Sequence, residues 1–137
     1  MADKKTLTFC IMDAPYENAR STTALRLIDI AVKRGYNVNV FAYEGAVQMP
    51  ITTQKAHPNA FHGRDTEEED HPLPHQWIQS IAKAADAAGG KLEWISCGLC
   101  VDERGANDGL PFVQRGGPAH LLEWVQASDN TLIIPTK

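Results

Sequence analysis

Apolar and polar positions change period several times along this chain, and each change predicts an element. Residues 6–12 are almost wholly apolar after Thr8, as expected of a strand covered on both faces. Ala24, Leu27, Ile28 and Ala31 then recur at helical spacing and predict an amphipathic helix lying on that sheet. Ser21 or Thr22 is the expected N-cap. Lys33-Arg34-Gly35 closes the helix, with cations at the negative end of its dipole and a glycine for a left-handed cap. Residues 37–43 alternate Val38 and Val40 with polar side chains and predict a second strand. Strand, helix and strand imply a right-handed parallel crossover.

The pattern lapses over residues 46–74, which hold Pro50, Pro58, Pro72, Pro74 and the acidic run 66–70. A loop of this length inside a compact domain usually carries function. Periodicity returns over 75–89, where Ile78, Ile81, Ala82, Ala85 and Ala88 share a helical face and Gly89-Gly90 stops the helix. Residues 91–96 read as a third strand. After a turn-rich stretch, Pro118 opens a third helix with Leu121, Leu122 and Val125 as its apolar stripe, and Asn130–Ile134 reads as the last strand. The order predicts one α/β domain over 1–137, with an insertion rich in His, Pro and acidic residues at about 46–74. Its expected architecture is a three-layer sandwich around a mostly parallel four- to five-stranded sheet, with any fifth strand hidden in a long loop.

Composition narrows the function. With 43% hydrophobic and 22% charged residues the chain is a soluble globular protein. Its net charge of −4, without a Lys/Arg cluster, argues against nucleic-acid binding through phosphates. No apolar run reaches the length of a membrane span and residues 1–12 lack a signal-peptide core, so a cytoplasmic protein is expected.

Three cysteines without a secretory signal do not form a disulfide framework. Cys10 sits in the first apolar run and reads as a core residue. Cys97 falls at the carboxyl end of the third strand, where open α/β sheets gather ligands and reactive groups. It reads equally well as a nucleophile or as an inert buried thiol. Arg104 and backbone donors would favour its thiolate, while Asp102 and Glu103 oppose it. Cys97-Gly98-Leu99-Cys100 is a CxxC, but residues 102–109 look like a poor helix, so a thioredoxin-type dithiol site is not expected. Cys100 at this spacing can still resolve a modified Cys97. Zinc is the competing use, with Cys97 and Cys100 joined by His57, His62, His71 or His75; unbound surface histidines are the simpler reading. Tyr16, Tyr43 and Glu44 end the first two strands and are candidates to line the face of Cys97, against ordinary loop packing for each.

Several of these segments together resemble the DsrE/DsrF-like sulfur-relay family, in particular its DsrE and TusD branch. They are Ala14-Pro15-Tyr16, Ser21-Thr22-Thr23, Phe41-Ala42-Tyr43-Glu44-Gly45-Ala46-Val47, Cys97 with Arg104-Gly105, and the segment from Gly116-Gly117-Pro118 to Glu123. The resemblance runs from about residue 6 to the end, interrupted by an expanded loop at about 54–75. It implies a DsrE-like fold and a sulfurtransferase that carries sulfane sulfur as a persulfide on Cys97, with no cofactor. It also implies a cytoplasmic homotrimer or hexamer that exchanges sulfur with a TusA-like carrier or related relay protein. Cys100 and the His-rich insertion depart from the family's pattern. The alternative is a non-catalytic oligomeric partner or regulator of the same fold, with zinc on Cys97, Cys100 and the loop histidines.

Overall fold

The computed structural model describes residues 4–58, 60–69 and 72–136. Thr6–Ile11 forms β1, and Ala19–Lys33 forms α1. The N-cap of α1 is Asn18, whose side chain accepts the amide of Arg20 at 2.7 Å, and not Ser21 or Thr22. Ser21 is instead buried inside the first turn, where its hydroxyl donates to the Asn18 carbonyl at 3.2 Å. The buried stripe is Ser21, Ala24, Leu25, Ile28, Ala31 and Val32, which leaves Leu27 facing outward.

β2 spans Asn37–Ala42, followed by a 3₁₀ turn at Glu44–Gln48. Ala46, Val47, Met49 and Ile51 are all buried, so the first residues of the expected insertion belong to the core. The remainder holds a 3₁₀ turn at Ala60–His62 and a short helix α2 at Thr66–Glu69, with no buried residue in either. α3 is Pro74–Ala87, with proline in its first turn, and β3 is Leu92–Cys97. α4 follows at once over Gly98–Arg104, then β4 at Gln114–Gly116, α5 at Pro118–Ala127 and β5 at Asn130–Ile134.

All four strand pairings are parallel, in the order β4-β3-β2-β1-β5. Side chains alternate between two faces. On one face Phe9, Val38, Val40 and Trp94 pack with Leu25, Ile28 and Val32 of α1 and Ile78 and Ile81 of α3. On the other, Cys10, Phe41, Ile95 and Cys97 meet Cys100 and Val101 of α4, Val47, and the half-buried Leu121 and Trp124 of α5. Among the described residues no helix is long and apolar enough to cross a membrane.

Candidate functional site

The carboxyl ends of β1, β2 and β3 bring three loops together. The loop after β2 comes so close to the loop after β1 that a Cβ on Gly45 would lie 2.9 Å from the Ala14 nitrogen, so only glycine fits. Glu44 holds a left-handed φ of 50° just before it. Its amide donates to the Cys100 sulfur at 3.2 Å.

Cys97 is both the last residue of β3 and the N-cap of α4. The expectation that no helix starts here needs correcting: α4 occupies residues 98–104, and the turn-forming residues begin only after it. Cys100 and Val101 bury its inner side, and Gly105, at a left-handed φ of 60°, ends it. Arg104-Gly105 is thus a helix stop. Cys97 and Cys100 keep only 4% and 7% of their surface exposed, whereas Leu99 between them is 74% exposed. The two thiols lie in one buried cluster, with the Cys100 thiol donating toward Cys97. Cys100 is pushed above the ordinary thiol range, first by burial, then by that hydrogen bond and by negative charge on Cys97; the Glu44 amide and the Arg104 charge pull the other way. All three cysteines are free thiols, and burial raises Cys10 to about 11.

Of the other expected residues, Tyr43 reaches the thiol face and stacks on Phe41 at 6.2 Å between ring centres. Arg104 and Glu44, whose amide holds the Cys100 sulfur, share an open cleft of about 490 Å³ with Met12, Asp13 and Glu17. That cleft also reaches Thr136, beyond β5, where the strand order reverses and α/β proteins bind ligands. Tyr16 does not join them. Its φ of 70° turns it away, toward His57 and a separate cavity of about 220 Å³ lined by Leu25, Met49 and Trp77. Of the loop histidines, His75 bonds Gln54 at 2.8 Å, His57 bonds the Pro58 carbonyl at 3.0 Å, His62 meets the Phe61 ring edge-on at 5.1 Å, and His71 lies outside the described residues. Among the described residues no three His, Cys, Asp or Glu side chains assemble as a metal site.

Sequence reasoning missed Arg115. It stands on β4 opposite Ser96 and donates to the Gly98 carbonyl at 3.0 Å while pairing with Asp102 at 2.9 Å. One guanidinium therefore ties β4 to the start of α4. The motif carried no signal for it, because β4 is a three-residue strand of Gln-Arg-Gly.

A family model, the DsrE/DsrF-like family, matches residues 5–133. The chain belongs to the DsrE/DsrF-like family. The crystal structure of the YchN protein from E. coli matches this DsrE-like chain with a TM-score of 0.72 at 20% identity, covering 94% of this chain and 98% of that one. At that identity the likeness shows the shared fold. No curated protein matches the sequence at a significant level. The five-stranded parallel sheet agrees with the DsrE-like α/β architecture expected from the sequence.

Proposed function

We propose that this protein is a sulfur-relay carrier that holds sulfane sulfur as a persulfide on Cys97. The observation that carries the reading is the position of Cys97 at the end of β3 and the start of α4, in one buried cluster with a second thiol. The Cys97 thiolate attacks the outer sulfur of a donor persulfide, and the donor thiolate leaves with the electron pair. An acceptor thiolate then attacks the outer sulfur of the Cys97 persulfide and Cys97 leaves in turn. Neither step needs an added oxidant or reductant.

Because Cys97 is buried, loading requires the first turn of α4 to part from Arg115. Exposed Leu99 offers an arriving protein a handle on that turn. A TusA-like carrier or a related relay protein is the proposed partner, and the cleft beside Arg104 supports docking at this end of the sheet. Leu122 and Ile133, 57% and 60% exposed on the thin α5 side, support assembly into a homotrimer or hexamer. Dithiol exchange is a second reading, favoured by a CxxC that opens a helix with its thiols in one buried cluster. The alternative of a zinc-binding regulator finds no three-ligand set among the described residues.

The test is intact-mass analysis after incubation with polysulfide. Cys100→Ser is expected to gain the mass of one sulfur, removable by dithiothreitol, and the variant lacking both Cys97 and Cys100 is expected to gain none. A Cys100→Ser protein that stays unmodified contradicts the reading.

A further inference from the structure

Cys100 is an odd neighbour for a sulfur carrier. A persulfide carrier is best served by a cysteine with no other thiol in reach, since any neighbouring thiol attacks the S–S bond. Here the neighbour is three residues away, in one buried cluster with Cys97. The local packing also fixes its position. The Glu44 amide holds the Cys100 sulfur, and that amide is aimed by a left-handed backbone which Gly45 keeps pressed against Ala14.

We propose that Cys100 is a resolving thiol, and that the protein discharges an unclaimed Cys97 persulfide as hydrosulfide. Resting on the carrier reading of Cys97, this adds a second activity, persulfide-to-sulfide conversion, to the same site. The Cys100 thiolate attacks the inner sulfur, Sγ of Cys97. A Cys97–Cys100 disulfide forms, the bond between Cys97 Sγ and the outer sulfur breaks, and that sulfur leaves as hydrosulfide with the electron pair. Both cysteines end oxidised to the disulfide and the sulfane sulfur ends reduced to sulfide. A low-molecular-weight dithiol then returns the pair to thiols in a separate exchange.

Proximity decides the competition. A thiol tethered three residues away acts at an effective concentration of about millimolar or more, without having to enter a closed site. The lifetime of the loaded state is therefore set by how soon an acceptor arrives, and Cys100 keeps reactive sulfur from reaching unintended thiols. Burial holds the proton on Cys100 while the hydrogen bond from the Glu44 amide favours its charged form, so only the deprotonated fraction attacks.

The experiment loads wild type, Cys100→Ser and Cys100→Ala with polysulfide, removes the donor, and follows intact mass and released sulfide together. Wild type is expected to release one sulfide per loaded chain while losing the mass of two hydrogens relative to the unloaded dithiol. Both Cys100 variants are expected to retain the sulfur adduct for about tenfold longer or more, given that effective concentration. The serine variant keeps an acceptor for the Glu44 amide and the alanine variant does not, so agreement between them removes folding as the cause. Adducts of equal lifetime in all three proteins, with no disulfide in wild type, overturn the resolving role and leave the carrier reading intact. Failure of either Cys100 variant to load at all overturns the carrier reading and this inference with it.

Discussion

The two faces of the sheet are built for different purposes. The face under α1 and α3 is mostly hydrocarbon, and Ile28, Val32, Val40 and Ile78 are fully enclosed there. The opposite face carries all three cysteines, and a buried Thr8 that takes a hydrogen bond from Asn39 at 3.3 Å. Its main helix, α5, has no buried residue. Stability is concentrated on the first face, and the second keeps thinly covered thiols beside exposed apolar side chains. A reactive group on the first face would have to open the main core to be reached; on the second it needs only one short helix to shift.

The sharpest way to break this contrast is to truncate both sides. Ile28→Ala, inside the closed face, is expected to cost about 2–5 kcal/mol in denaturant unfolding, through lost burial and an unfilled cavity. Leu122→Ser on α5 is expected to change the unfolding free energy by less than about 0.5 kcal/mol, while lowering the mass of any assembly seen by light scattering. Equal costs at the two positions would show that α5 is as much a part of the core as α1.

A smaller effect comes from Cys10, buried on the thiol face. Its folded pKa of about 11 lies above the ordinary value of 9.0, so the folded state keeps a proton that the unfolded chain releases. The stabilisation is complete below pH 9.0 and is lost as pH rises toward 11, at about 1.4 kcal/mol per unit. Unfolding titrations across that window are expected to show a loss of about 2–3 kcal/mol in wild type that is absent from Cys10→Val. Parallel profiles would mean that Cys10 reaches solvent on this face.

Arg115→Ala gives a small change in stability and the clearest one in access. Its pair with Asp102 is exposed and is expected to contribute under about 1 kcal/mol. Loss of its bond to the Gly98 carbonyl is expected to speed alkylation of Cys97 by about two- to fivefold, the equivalent of one modest hydrogen bond. Unchanged alkylation would place the barrier elsewhere than in the first turn of α4.

Most of the fold was legible because its core elements are long and periodic. β1, β2 and β3 carry enough Val, Ile and Phe to announce themselves, and glycines mark the ends of α1 and α3. β4 was invisible because Gln114-Arg115-Gly116 has no strand propensity of its own and pairs only because Ile95–Cys97 offers an edge. α4 was misjudged because Asp102, Glu103 and Arg104 look continuous with the turn-forming residues after Gly105, whereas they complete a helix anchored by buried Cys100 and Val101. The site was half legible. Spacing alone puts Cys97 and Cys100 together, but the amide of Glu44 and the guanidinium of Arg115 arrive from other strands. The sequence leaves Tyr16 open between the thiol face and ordinary loop packing, because it does not reveal the left-handed backbone that accompanies the ring's contact with His57.

The central claim is that Cys97 carries the sulfur. The most direct test loads Cys100→Ser with polysulfide, alkylates the product and fragments the peptide running from residue 92 to Arg104 to locate the added sulfur. The account predicts an alkylated persulfide on Cys97 and an unmodified Cys10. Added sulfur on Cys10, or none on Cys97, would contradict it.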